Sequence, residues 1–265
     1  MNRFAISSWS LDGMLQNGTP LVDVPAQMAQ HGITTLEVCH FHLPGTDAAY
    51  LQQLRDAIEA AGIELYSVLI DGGDIVAPDP EQRAADMQMT QEWIDIAAAL
   101  GAQQVRVAAG RQPATPDVIQ TSAQNLRTCA QYASDKGLRT ITENWLITSQ
   151  EPDDLLAILD GCNGTVGLCA DTGNAEATAD KYATLEKLLL RASSVHFKAQ
   201  YQPDGAINQD DARRCTALMQ ESGFDGVVTL IYADKHDEWA GIERMRNTLE
   251  PLLFGDQRPD VVAAD

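Results

Sequence analysis

Short β-branched or apolar runs alternate along the chain with longer stretches whose apolar positions recur at helical spacing, and this rhythm predicts the elements. Strands are expected at 4–9, 35–39, 64–70, 104–108, 139–143, 166–170, 194–198 and 227–232. Helices are expected at 22–31, 48–61, 80–100, 116–136, 152–159, 182–192, 211–222 and 238–253. Pro80, Pro116 and Pro152 stand at helix starts, and Gly32, Gly62, Gly101, Gly137 and Gly223 follow helix ends, where each residue type is conformationally favoured.

Strands alternating with helices imply a parallel sheet with helices packed against it. Eight such units with no break in composition predict closure into a (β/α)8 barrel, a TIM barrel, over residues 1–254 as a single domain, with a loose tail at 255–265. The competing architecture is an open doubly wound sheet, which usually carries a glycine-rich phosphate loop after its first strand. Here that strand runs into Ser8-Trp9-Ser10-Leu11-Asp12-Gly13, which lacks the glycine spacing.

Composition narrows the function. The formal net charge is -20. Nucleic-acid binding needs clustered Lys and Arg against phosphate, so a nucleic-acid partner is not expected. No apolar run is long enough to span a membrane, and the first residues lack a secretory pattern, so a cytoplasmic protein without a membrane partner is expected. The five cysteines, Cys39, Cys129, Cys162, Cys169 and Cys215, form no CxxC pair. They read as buried reduced thiols rather than a zinc–thiolate site.

Barrels of this kind place their chemistry at the C-terminal ends of the strands. Three consecutive strands end in Glu143, Asp171 and His196. Each alone reads equally as a helix cap, a turn residue or a core histidine; their succession points to one site. Two carboxylates and an imidazole suit a divalent metal such as Mn²⁺, Mg²⁺, Co²⁺ or Zn²⁺. Lys198 shares a strand face with His196, so its ammonium is placed to hold a substrate oxygen. Candidate substrate contacts are Asn174, Arg106, His42, Trp9 and Glu37. Each has a plainer reading. Glu37 lies mid-strand and suits a salt bridge inside the barrel, Arg106 suits neutralising Glu37 or Glu143, His42 (like His40) meets substrate or solvent, and Trp9, like Trp145, walls a pocket or packs.

The segments Ile141-Thr142-Glu143-Asn144, Asp171-Thr172-Gly173-Asn174 and Val195-His196-Phe197-Lys198, in that order and spacing, resemble the xylose-isomerase-like barrels, the sugar phosphate isomerases and epimerases. The resemblance runs over nearly the whole chain. It implies a metal-assisted isomerase or epimerase acting on a small sugar, ketose or polyol-type carbonyl compound, and leaves open a homo-oligomer. It also implies four metal ligands on strands five to eight, of which Glu143, Asp171 and His196 match three. Glu143 and Lys198 are then the proton-transfer and oxygen-holding residues. The fourth ligand, a glutamate in the family, falls on Ile231, and the aspartate that often follows the strand-seven lysine is Ala199. Isoleucine neither binds a metal nor exchanges a proton, so metal binding is expected to be weak or absent. Asp234 or Asp237 in the next loop is a substitute ligand. The departure also admits a lyase or dehydratase, or a sugar-binding barrel without catalysis.

Overall fold

Eight parallel strands hydrogen-bond in chain order, β1 to β8, and β1 pairs with β8 to close the barrel. The computed structural model describes residues 3–255. The strands are β1 (Arg3–Ser7), β2 (Thr35–Cys39), β3 (Glu64–Ile70), β4 (Gln104–Val107), β5 (Arg139–Glu143), β6 (Val166–Asp171), β7 (Ala192–Phe197) and β8 (Val227–Leu230). The helices are α1 (Asp12–Gln16), α2 (Val24–Gln30), α3 (Ala48–Ala60), α4 (Pro80–Leu100), α5 (Pro116–Ser134), α6 (Leu146–Ser149), α7 (Pro152–Gly161), α8 (Lys181–Leu189), α9 (Gln209–Glu221) and α10 (Glu238–Phe254). The expected (β/α)8 barrel is therefore present. Apart from Gly255, the expected tail lies outside the described residues. No helix among the described residues is long and apolar enough to cross a membrane.

Period-two alternation splits each strand between two environments. Outward residues such as Ile6, Val38, Val68, Val105, Leu168, Val195 and Val228 join helix residues such as Leu54, Ile94, Leu126 and Met219 in one buried cluster. Each fully buried Leu or Ile there contributes about 1.5–3 kcal/mol by leaving water. The inward positions are different in kind. Barrel interiors are usually filled by branched apolar side chains. Here Glu37, Ser67, Gln104, Cys169, Ser194 and Thr229 occupy the inward register directly beneath the mouth, all buried.

Two elements were not expected, α1 and α6, and both lie in loops at the C-terminal mouth. Strand one stops at Ser7 rather than Trp9 because the Ser7 hydroxyl accepts the Trp9 amide at 3.2 Å and caps a 3₁₀ turn over Ser8–Leu11. Strand eight stops at Leu230 because Ser10 takes over its end. The Ser10 hydroxyl donates to the Leu230 carbonyl at 2.8 Å and accepts from the Tyr232 amide at 2.9 Å. Ile231 still donates its amide to the Phe197 carbonyl at 2.9 Å, so it keeps the inward register of Thr229.

The loop after β4 passes the mouth at Gly110, whose φ is +143°. A Cβ there would lie 2.3 Å from Val76 Cγ2 and 2.9 Å from Thr148 Oγ1. Thr148 in turn binds Gln112 through both its amide and its carbonyl, at 3.0 and 2.6 Å. Gly110→Ala should therefore lower unfolding stability by more than about 1 kcal/mol, from backbone strain and crowding together. Urea denaturation of the two proteins measures it, and equal midpoints would show that this loop yields freely.

Candidate active site

Glu143, Asp171 and His196 meet at the C-terminal mouth because β5, β6 and β7 are neighbours and each carries an inward residue at its last or, for His196, its next-to-last position. Glu143 pairs in register with Cys169, and Asp171 with His196. The three side chains line a cavity of about 110 Å³ with Ser7, Trp9, Cys39, Leu69, Asp71, Arg106, Trp145, Lys198 and Ile231. His196, Glu143 and Asp171 are 3%, 4% and 0% exposed, so their charges act in a medium that screens poorly.

The imidazole is fixed from below. His196 Nε2 lies 2.8 Å from Glu37 Oε2, a contact across the barrel between β7 and β2. Its other nitrogen, Nδ1, faces the mouth, 3.6 Å from Glu143 Oε2 and 3.8 Å from Asp171 Oδ2. Burial works against the imidazolium, but Cys169, Glu37 and Glu143 outweigh it and hold the His196 pKa well above the ordinary imidazole value.

Glu143 is gripped on both oxygens. Asn174 Nδ2 donates to Oε1 at 2.8 Å, and the Arg106 guanidinium sits 3.2 Å from Oε2. Burial would raise this carboxyl; His196, Arg106 and Lys198 overcome it and hold Glu143 well below the usual carboxylate range. Arg106 is itself clamped, 2.5 Å from Asp71 Oδ1 and stacked 4.8 Å from the Trp145 ring. Trp145 reaches that position through a tight turn in which Leu146 adopts φ +63°. Ser149 holds the turn by donating to the Glu143 and Trp145 carbonyls at 2.9 and 2.7 Å.

Asp171 has a different set of partners. Its Oδ1 accepts the amides of Gly173 and Asn174 at 2.8 and 2.7 Å, and its Oδ2 lies 2.8 Å from Lys198 Nζ. Burial raises its pKa; Lys198 opposes this, and Glu143 adds to it. Burial also works against the Lys198 ammonium, but Asp171 and Glu143 raise its pKa nonetheless. Asn174 Oδ1 accepts from Lys198 Nζ at 3.0 Å, so Asn174 bridges the Glu143 and Asp171 halves of the site.

Of the sequence-based candidates, Glu143, Asp171, His196, Lys198, Arg106 and Trp9 line the cavity. Asn174 touches it through Glu143 and Lys198. Glu37 lies beneath it, in the barrel salt bridge that is the plainer of its two readings. His42 lies apart from the lining, with Nδ1 2.8 Å from Ser8 Oγ and Nε2 3.0 Å from Asp12 Oδ1. Asp234 and Asp237 are exposed and do not line the cavity, whereas Ile231 does. Sequence reasoning passed over Asp71 and Cys169. Asp71 directly follows Ile70, the last residue of β3, which is the signal that could have found it. Cys169 precedes Asp171 by two and so shares its face.

A family model described as xylose isomerase-like TIM barrel matches residues 25–252. None of the curated proteins matches the chain by sequence. Among solved structures, an L-ribulose 3-epimerase superposes with a TM-score of 0.76 at 17% identity, covering 96% of this chain and 95% of that one. A D-allulose 3-epimerase from Methylomonas sp. gives 0.75 at 17% identity over 95% and 98%. A probable 3-DHS dehydratase from Bacillus anthracis gives 0.71 at 12% identity over 92% and 97%. At these identities the likeness is one of fold.

The Glu37–His196 contact yields a signed prediction for the metal-free protein. A raised imidazole pKa contributes stability that is fully present below the ordinary value of about 6.5 and is lost as pH rises through the folded value. Glu37→Gln keeps the shape and removes the charge. The stability gap between wild type and Glu37→Gln in chelator should therefore shrink as pH rises, and the imidazole should titrate at lower pH in the variant. Unfolding curves and a nitrogen-15 NMR titration test both, and a gap that widens with pH contradicts the assignment.

Proposed function

Because the chain belongs to the xylose isomerase-like TIM barrel family, we propose that it is a metal-assisted isomerase or epimerase-like enzyme for a small ketose or polyol-type carbonyl compound. The observation that carries this reading is the convergence of Glu143, Asp171 and His196 Nδ1 on one small cavity with Lys198 at its wall. The likeness in fold to sugar 3-epimerases supports the substrate class.

Each carboxylate is spaced from His196 Nδ1 as two ligands of one divalent cation would be, although Glu143, Asp171 and His196 do not close as a mutual group of three donors. Two bonds of about 2.1 Å at tetrahedral angles place their donors about 3.4 Å apart, and the nitrogen–oxygen separations at His196 are 3.6 and 3.8 Å. A carboxylate behind the imidazole, as Glu37 is here, is the usual support for a metal-binding histidine. An ion held by these residues would supply Lewis-acid polarisation of a substrate carbonyl.

The remaining work falls to side chains. Glu143 takes the proton from the carbon beside the carbonyl, with Arg106 and Asn174 fixing the direction of its oxygens. Lys198, partly exposed at the cavity wall, donates to a substrate oxygen. Trp9 and Trp145 give the cavity apolar sides that exclude water from the exchanging proton. Ile231 stands where the family pattern has a second carboxylate, and it faces the cavity. That favours chemistry served by one base, an isomerisation or a dehydration, over proton exchange on both faces of one carbon.

A panel of ketoses and polyol-derived ketones, incubated with metal-loaded protein in D₂O, tests the reading by carbon-bound deuterium incorporation. Glu143→Gln should lower the exchange rate by about 10²–10⁴-fold, the usual contribution of a positioned base. Absence of exchange with every compound, together with tight binding of one, would favour the non-catalytic sugar-binding barrel instead.

Ile231→Glu should tighten Mn²⁺ binding, because it adds a hard oxygen donor and a negative charge within reach of the cation. In chelator the same change should lower the melting temperature, since a further carboxylate beside Glu143 and Asp171 is repelled. Metal should therefore reverse the order of the two melting temperatures. A variant destabilised equally with and without Mn²⁺ would exclude position 231 from the metal's surroundings.

A further inference from the structure

Asp171 is the least available of the three expected metal ligands, since Lys198 holds one oxygen and two backbone amides hold the other. A different third donor lies beside Glu143 and His196. One ligand atom each from Glu143, Cys169 and His196 falls within 4.8 Å of the others, and all three residues are buried. The strand register explains why. Cys169 pairs with Glu143 on one side, and a register shift at Leu168/Cys169 brings β7 level with it on the other.

Of the other four thiols, Cys129 is packed in the apolar core and the remaining three have hydrogen-bonding partners. Cys162 Sγ donates to the Ala123 carbonyl at 3.7 Å, Cys215 Sγ to Asp211 at 3.7 Å, and Cys39 Sγ lies 3.8 Å from the Ser7 hydroxyl. Among the described residues, the only such group of donors contains Cys169. Ile231, facing the same cavity, offers no donor.

Resting on the reading that the mouth holds a divalent ion, we infer that Cys169 is one of its ligands, forming with Glu143 and His196 a mixed sulfur, oxygen and nitrogen centre that favours Zn²⁺, Co²⁺ or Fe²⁺ over Mn²⁺ and Mg²⁺. Thiolate ligands select softer ions, whereas all-oxygen sites suit Mn²⁺ and Mg²⁺. The thiol proton leaves to solvent as the Sγ–metal bond forms, since a coordinating thiol is deprotonated by the ion's charge. Three protein ligands leave positions open for substrate oxygens, the usual arrangement of catalytic zinc. Asp171 then keeps its ion pair with Lys198 and acts on the substrate through that ammonium.

The test is spectroscopic and uses the full chain. Co²⁺ added to metal-free protein should give visible d–d bands together with an intense near-ultraviolet thiolate-to-cobalt charge-transfer band. Cys169→Ser should abolish the charge-transfer band and weaken Zn²⁺ binding by more than about 100-fold, since losing a mere supporting contact to a ligand already costs 10–100-fold. Cys39→Ser, which alters the thiol that lines the cavity, should leave the band in place. X-ray absorption of the wild-type zinc protein should show one sulfur at about 2.3 Å, a measurement that does not depend on the variant folding. Visible bands that vanish in His196→Ala but come with no charge-transfer band and no zinc–sulfur distance would overturn the thiolate ligand while leaving the divalent site standing. Absence of any Co²⁺ binding would overturn both.

Discussion

The contact between Glu37 and His196 is the constraint around which the rest of the mouth is arranged. It joins residues 159 positions apart, at 2.8 Å, inside a barrel where neither side chain meets solvent. A buried carboxylate without a cationic or hydrogen-bonding partner costs several kcal/mol, so this pair tolerates little displacement of β2 against β7. Because Nε2 is committed to Glu37, Nδ1 has to face the mouth, and the direction of every donor above it is set relative to that nitrogen. Glu37 Oε1, Ser67 Oγ, Gln104 Nε2, Ser194 Oγ and Thr229 Oγ1 have no hydrogen-bond partner among the described residues. The layer that supports the imidazole is thus rich in polar side chains, an expensive choice for a barrel interior.

Charge balance follows from the same layer. Glu37, Asp71, Glu143 and Asp171 face two fixed cations, Arg106 and Lys198, and a histidine. With the imidazole neutral, two negative charges are uncompensated, which matches one divalent cation. With the imidazole protonated, one is. A proton and the proposed divalent ion would therefore compete for the His196 Nδ1 region, and Glu37 would serve in both states, stabilising the imidazolium in the metal-free protein and orienting the neutral ring if an ion binds. A thiolate from Cys169 would contribute a further negative charge beside Glu143 and His196.

Much of this was legible in the chain. The barrel was, because eight β-branched runs and the glycines after the helices repeat the same local grammar. Glu143, Asp171 and His196 were, because each falls at the end of a run whose period fixes its face. Asp71 was not, since it sits in Asp71-Gly72-Gly73-Asp74, which reads as a turn, and only its pairing with Arg106 gives it a role. The helices α1 and α6 were not, because hydroxyls from Ser7, Ser10 and Ser149 set those turns through contacts that no periodicity records. Cys169 was hidden by its residue type: a cysteine in an apolar strand reads as core, and its proximity to His196 depends on a register shift between β6 and β7. His42 illustrates the converse. A histidine just beyond a strand end looks available, yet both ring nitrogens here are taken by Ser8 and Asp12.

The three walls of the cavity are chemically unequal, and this bears on the kind of reaction it can serve. One wall carries Glu143 with its oxygens held by Arg106 and Asn174, a carboxylate fixed in direction. The second carries Lys198 on Asp171 and Asn174, an ammonium that is partly exposed. The third, Ile231 with Ser7, Trp9, Cys39 and Leu69, carries no charge: its one titratable group, the Cys39 thiol, is pushed up to about 12 by burial. A substrate carbon lying between the first and third walls can lose a hydrogen toward Glu143 but meets no carboxylate on its other face. Inverting that carbon needs a proton delivered from the uncharged side, where no carboxylate stands to supply it. Moving a proton between adjacent atoms on the Glu143 face, or expelling a hydroxyl toward Lys198 after its removal, needs nothing from Ile231. With isoleucine at position 231, the charged groups lining the cavity stand away from that wall, an asymmetry that bears on the stereochemistry of the proposed reaction more than on binding.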